Sequence, residues 1–212
     1  MLRVNEIFRS IQGESTHAGR PCAFVRFTGC NLRCVWCDTA YAFHEGVSMT
    51  LDEVVRRVDD LGCRLVELTG GEPLLQPEAP DLMRALLERG YEVLLETGGS
   101  LPIEGVPVGV RRIVDVKCPG SGESSRNRWE NLDALREGDE LKFVIAGRDD
   151  YEWAARLVRE RALHERTTVL FSAVHGGLPS GRLAGWVLDD ALPVRVQVQM
   201  HKVLWPDRLR GV

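Results

Sequence analysis

Residues 29–39 read Gly29-Cys30-Asn31-Leu32-Arg33-Cys34-Val35-Trp36-Cys37-Asp38-Thr39. Three cysteines stand at CxxxCxxC spacing, directly behind an apolar segment at 23–27 with the composition of a buried strand. Structural zinc takes four nitrogen or sulfur ligands, often as two paired knuckles, and the remaining cysteines, Cys22, Cys63 and Cys118, lie far apart in the sequence. A redox CxxC at Cys34 and Cys37 would leave Cys30 unexplained. An electron-transfer cluster as a rule draws on four cysteines. Three thiolates on one short loop can instead hold three corners of a [4Fe–4S] cube and leave the fourth iron open to a reacting ligand. The spacing favours catalysis over electron storage, with zinc binding or a fortuitous triplet as the bland alternative.

Outward from this loop, apolar β-branched segments at 23–27, 65–69, 92–96, 112–116, 141–145, 168–171 and 194–198 read as short buried strands. Helical patterns fall between several of them. Thr50-Leu-Asp-Glu53 is a capping box that opens a helix to about Leu61. Pro80 opens a second helix ending at Gly90, Asp149 and Asp150 begin a third through about Leu163, and a fourth spans 181–191. Strand–helix alternation implies right-handed βαβ crossovers and a parallel sheet or barrel. A full eight-unit barrel needs about 250 residues, so the expectation is an α/β fold built as an abbreviated, partly open TIM-like barrel of about six βα units. The Gly/Pro-rich stretch 98–109 and the Gly/Ser-rich stretch 118–129 are expected as loops over a site, and residues 1–212 as one domain.

The chain has 212 residues and a net charge of −4, from 27 Lys and Arg against 31 Asp and Glu. Its arginines are scattered among acids, which removes the basic stripe of a nucleic-acid binder. No apolar run approaches the ~18 residues of a membrane span, and residues 1–10 lack a signal-peptide core. A cytoplasmic protein with reduced cysteines is expected, with neither nucleic acid nor membrane as partner.

The cysteine triplet, with the aromatic Trp36 directly before its last member, resembles the radical S-adenosylmethionine superfamily. Thr69-Gly70-Gly71-Glu72-Pro73 resembles that superfamily's GGEP element. Paired glycines let the backbone approach a ligand closely, although such a string alone is an ordinary turn before a helix. The resemblance implies a radical-SAM (β/α) barrel whose open iron chelates the amino and carboxylate groups of S-adenosylmethionine. Reductive cleavage there gives methionine and a 5′-deoxyadenosyl radical.

The superfamily supports many reactions, and a fold does not choose among them. Ile11-Gln-Gly-Glu14, Arg26, Cys37-Asp-Thr39, Asp115-Val-Lys-Cys-Pro-Gly-Ser-Gly122, Gln199-Met-His-Lys202 and Leu204-Trp205 together resemble the 7-carboxy-7-deazaguanine synthases, over nearly the whole chain. That resemblance implies conversion of 6-carboxy-5,6,7,8-tetrahydropterin to 7-carboxy-7-deazaguanine with loss of ammonia, on the route to queuosine and other deazapurines. It places the cluster on Cys30, Cys34 and Cys37, and a magnesium ion on Thr39. It places S-adenosylmethionine against Trp36, Cys37, Asp38 and Gly71, and against Cys118-Pro119-Gly120 and Ser172-Ala173-Val174-His175. Ile11, Gln12, Gly13, Arg26 and Thr69 fall to the substrate, and the C-terminal segment is implied to fold back over the site. An external electron donor such as flavodoxin and a homodimer are implied as partners.

Each position has a plainer alternative. Arg26, inside an apolar strand, needs a partner: a structural acid such as Glu96, or a substrate carboxylate that suits a bidentate fork. Gln12 and Glu14, expected to precede the first strand, are otherwise a solvated loop or cap. Thr39 is otherwise a turn cap, although magnesium commonly takes only one or two protein oxygens. Thr69, Glu96, Lys117 and Ser172 are expected at strand carboxyl ends, where barrel enzymes build sites, but any barrel has polar strand ends. His201 is either a proton-transfer group or a capping residue. Ser15 stands where many relatives have glycine, which puts the local turn in question. The competing functions are a glycyl-radical-enzyme activase and a non-catalytic iron–sulfur or zinc module.

Overall fold

The computed structural model describes residues 1–212. Its strands are β1 (Leu2–Ile11), β2 (Pro21–Phe27), β3 (Val47–Met49), β4 (Leu65–Gly70), β5 (Glu92–Thr97), β6 (Arg111–Asp115), β7 (Glu140–Ile145), β8 (Thr168–Ala173) and β9 (Arg195–Gln197). Its helices are α1 (Leu51–Asp60), α2 (Ala79–Glu88), α3 (Glu130–Asp133), α4 (Arg148–Glu160), α5 (Leu163–Arg166), α6 (Ser180–Asp189) and α7 (Met200–Leu204). They form one nine-stranded sheet ordered β3-β1-β2-β4-β5-β6-β7-β8-β9. From β2 through β4 to β9 the neighbours are parallel, while β1 is antiparallel to both β2 and β3. The outer edges of β3 and β9 do not pair, so the barrel is open, as its length implies.

Every apolar segment expected as a strand overlaps one, although 112–116 runs one residue past β6 and 194–198 runs one residue past β9 at each end. β1 and β3 extend that pattern. Arg3, Glu6 and Arg9 interrupt the apolar periodicity of β1, and a bulge between Val4 and Glu6 shifts its alternation against β2. Gln12 and Glu14 therefore follow the first strand rather than precede it. The helix expected through Leu163 breaks at Ala162, whose φ is 48°, and restarts as α5.

The capping box of α1 forms as written: Glu53 N donates to Thr50 Oγ1 at 3.3 Å and Thr50 N donates to Glu53 Oε2 at 2.7 Å. Val54, Val55 and Val58 of α1 join residues of α2, α4 and α6 and one face of the sheet, Val25, Leu68, Leu95 and Phe143 among them, in a 40-residue core. The β5–β6 crossing carries no helix. Asn131 Nδ2 holds it instead, donating to Gly99 O at 3.0 Å and Leu101 O at 2.9 Å. Fully buried Arg112 adds a bond to Ile103 O at 3.0 Å while paired with Asp139. A buried ion pair is tolerated when its remaining donors are also satisfied.

A smaller apolar cluster, Cys22, Phe24, Leu65, Leu94 and Ile113 with Phe8 against it, occupies the other face of these strands. Phe8 and Phe24 stack with ring centroids 5.0 Å apart. This layer is the floor on which the site stands.

Candidate active site

A cavity of about 250 Å³ opens at the carboxyl ends of the parallel strands, the face on which barrel enzymes assemble catalytic groups. Cys30, Cys34 and Cys37 are free thiols, all partly buried, and all line it. Their loop is pinned at both ends. Gly29 N donates to Ala42 O at 2.9 Å, Val35 N to Ser121 O at 3.0 Å, and Arg33 N to Glu123 Oε1 at 2.7 Å. No three His, Cys, Asp or Glu side chains converge closely enough to hold a single metal ion. Three soft sulfur donors spread along one loop fit a cube that takes each ligand at a separate corner. Burial pushes the Cys30 and Cys34 thiols up, and Lys117 opposes that shift; a metal centre takes them as thiolates.

The GGEP turn packs directly under this loop. Glu72 N donates to Gly29 O at 2.7 Å, and a Cβ on Gly71 would lie 2.0 Å from the same oxygen. The Glu72 carboxylate accepts from Thr97 Oγ1 at 2.8 Å, Gly98 N at 2.8 Å and Leu74 N at 3.0 Å. Burial raises its pKa while these donors lower it. Glu72 thus joins the ends of β4 and β5 and leaves the turn's backbone to the cavity.

Arg26 and Thr69, also on the cavity wall, are register partners on β2 and β4. The acid paired with Arg26 is Glu6 of β1, Nε to Oε1 2.7 Å, and not Glu96. Tyr41 Oη donates to the same oxygen at 2.8 Å, and the guanidinium lies over the Phe8 ring at 5.5 Å. Only Nε is committed, so both Nη nitrogens remain for a ligand. Glu96 instead accepts from Lys142 Nζ at 2.6 Å, and Glu14 pairs with the same ammonium. Both carboxylates hold Lys142 charged against its burial.

Thr39 lies at the start of a 3-10 turn, Ala40–Phe43, yet its hydroxyl caps nothing and faces the cavity. This hydroxyl, 3.8 Å from Cys37 Sγ on the cavity wall, suits magnesium, which keeps water and substrate oxygens as its other ligands. Asp38 pairs with Lys202 of α7 at 2.5 Å; burial would raise its pKa, but Lys202 holds it below the usual range. Burial lowers the pKa of His201. Ser15 adopts φ 64°, the left-handed conformation that glycine takes more readily.

Ile11, Gln12, Gly13, Arg26, Trp36, Cys37, Asp38, Thr39, Thr69, Gly71, Val174 and His175 all line the cavity. Cys118, Pro119, Gly120, Ser172 and Ala173 do not. Cys118 is in the outer core, Gly120 N donates to Asp150 Oδ1 at 2.8 Å, and buried Ser172 Oγ accepts from Gln197 Nε2 at 3.0 Å. The 118–123 segment reaches the site indirectly, as the strut beneath Val35 and Arg33. Sequence reasoning passed over Lys142 and Glu67, which also line the wall. Each is a charge inside an apolar strand, the signal that singled out Arg26.

The Radical SAM superfamily model matches residues 24–115, from β2 through β6. The crystal structure of QueE from Escherichia coli superposes with TM-score 0.77 at 21% identity, covering 94% of each chain. That of Streptococcus suis SuiB bound to S-adenosylmethionine superposes with TM-score 0.58 at 14% identity, covering 81% of this chain and 44% of that one. Fold, thiol loop and GGEP turn together define a radical SAM protein. The sequence is 47% identical to a 7-carboxy-7-deazaguanine synthase of Koribacter versatilis over 226 residues, 100% of both chains. It is 46% identical to one of Chlorobaculum tepidum, over 100% of this chain and 97% of that one. The chain belongs to the 7-carboxy-7-deazaguanine synthase family.

Proposed function

We propose that this chain is a radical S-adenosylmethionine lyase that converts 6-carboxy-5,6,7,8-tetrahydropterin to 7-carboxy-7-deazaguanine with loss of ammonia. The observation that carries this reading is one cavity lined both by the three loop thiols and by Arg26, whose Nη nitrogens are free. When bound, the cluster and S-adenosylmethionine supply the hydrogen-atom abstraction that starts the ring contraction.

The chain's own residues bind, orient and exclude water. Cys30, Cys34 and Cys37 hold the cluster. Trp36, Cys37, Asp38, Gly71, Val174 and His175 border the S-adenosylmethionine, and Thr39 gives its hydroxyl to magnesium. Arg26 and Thr69 take the substrate carboxylate, the Arg26 fork being fixed from behind by Glu6. Ile11, Gln12 and Gly13 form the opposite wall. Residues 1–212 act as one domain, and the segment through Gln199, His201, Lys202 and Val212, all at the cavity, closes it. An external reductant such as flavodoxin delivers the electron. No helix is long and apolar enough to cross a membrane; the enzyme works in the cytoplasm, as a homodimer. An activase for a partner enzyme would need a broad docking surface, whereas a cavity of about 250 Å³ suits a small carboxylated molecule.

The test is anaerobic reconstitution followed by assay with the carboxylated tetrahydropterin. Expected are a brown protein, a reduced-state magnetic resonance signal that changes on adding S-adenosylmethionine, and formation of the deazapurine acid. Cys34→Ala should lose both cluster and turnover. A colourless zinc protein, or a loaded enzyme that leaves the substrate unchanged, overturns the reading.

A further inference from the structure

Glu67 lies midway along β4, between its register partners Phe24 and Leu94, and only 2% of it is exposed. It stands directly on the apolar floor and reaches the cavity wall. No cation pairs with it: Lys142 is shared by Glu14 and Glu96, and Arg26 Nε is bonded to Glu6. Its hydrogen-bond partner is the side-chain amide of Gln12, whose Nε2 donates to Glu67 Oε2. The orientation of that amide is set independently. Glu14 N–H, which can only donate, meets Gln12 Oε1 at 2.8 Å, so Nε2 has to face Glu67.

The stretch held in this way seats the C-terminal segment. Met200 N donates to Gly13 O at 2.9 Å, and Gln199 Nε2 donates to Glu14 Oε1 at 2.7 Å. His201 packs so closely on Gly13 that a Cβ there would come within 2.3 Å of its Nδ1. We propose that Glu67 is a positioning residue: through the Gln12 amide it fixes the 12–14 wall, and with that wall the seat of the 199–201 segment that faces the substrate. Its effect on turnover rests on the proposed reading of the cavity as the substrate site.

The charge state of Glu67 fits this role. Burial, then the Glu96 and Glu14 carboxylates, push its carboxyl well above the usual glutamate range, against the pull of Lys142 and Arg26. These groups face it from β5, the loop after β1, β7 and β2, and the Cys22 thiol on β2, itself pushed up by burial, also adjoins it. A neutral acid needs no buried counterion and still accepts from Gln12.

The experiment compares reconstituted wild type, Glu67→Leu and Glu67→Gln. Loss of the buried acceptor in Glu67→Leu should raise KM about tenfold or more with kcat within about threefold. Glu67→Gln keeps an acceptor oxygen and should bring KM back to within about threefold of wild type. Without substrate, trypsin should cut after Lys202 faster in Glu67→Leu than in wild type or Glu67→Gln. A raised carboxyl pKa stabilises fully below the unfolded value of about 4.3 and progressively less as pH climbs toward the folded value. The melting temperature of Glu67→Gln should therefore gain on wild type as pH rises, a readout that survives if Glu67→Leu does not fold. A folded Glu67→Leu with wild-type KM and wild-type cleavage, a Glu67→Gln as impaired as Glu67→Leu, or a melting difference flat with pH overturns the proposal. Failure of the substrate reading shows elsewhere, as absence of turnover in the wild type, while cleavage and melting still report on Glu67.

Discussion

Arg26 has its Nε committed to Glu6 at 2.7 Å while its fork faces the cavity. Lysine offers one ammonium for both tasks and has no planar fork. Arg26→Lys should therefore raise KM for the carboxylated substrate by roughly 10- to 100-fold, the worth of one charge-assisted bidentate contact, with cluster content unchanged; steady-state kinetics beside iron analysis checks both. Gly71 is constrained by space rather than charge. Its missing Cβ would sit 2.0 Å from Gly29 O and 3.1 Å from Cys30 Cβ. Gly71→Ala has to push the thiol loop away from the GGEP turn, at a typical overpacking cost of about 1–3 kcal/mol. It should lower both the iron bound per chain after reconstitution and the unfolding midpoint in urea.

The elements that carry the site are anchored by a few specific bonds where regular helices are missing. α4 contributes Asp150, whose two oxygens accept from Gly120 N at 2.8 Å and Ala146 N at 3.1 Å. That bond holds the 118–123 strut, which in turn holds the thiol loop at Val35 and Arg33. α1, by contrast, lies outside the sheet and touches no wall of the cavity. Its capping threonine was legible three residues before Glu53 because a capping box is local. Thr50→Ala should cost about 1 kcal/mol of stability, seen as a lower denaturation midpoint, with KM and kcat unaltered. β1 was not legible, because its bulge breaks the alternation by which strands are recognised.

Over the whole molecule the 12–20 loop ties strands that are not neighbours in the sheet through side chains: Thr16 bonds to Glu140 of β7, Ser15 N donates to Gln197 Oε1 of β9 at 2.8 Å, and Arg20 pairs with Glu92 of β5 at 2.6 Å. Edge strands β3 and β9 have three residues each, and opening such segments exposes little apolar surface. Hydrogen exchange should be slowest in β4 to β7 and fastest in β3 and β9, with the 12–20 loop intermediate; mass-resolved exchange on the full chain would show the order, and a β9 as slow as β5 would contradict it.

The thiol loop, the GGEP turn and most strands could be read from the chain alone, because each depends on residue types at fixed short spacing or on a contiguous apolar run. Arg26 was visible in the same way, as a charge inside a strand that had to find a partner, and Lys142 and Glu67 carried the same signal without being singled out. Which partner each one found was settled only by folding. Gln12 meets Glu67, Lys142 meets Glu96 and Gln199 meets Glu14 across separations of 55, 46 and 185 positions. Strand order, register and the bulge in β1 bring those pairs together, and they arise from the packing of all nine strands at once, so no local pattern encodes them.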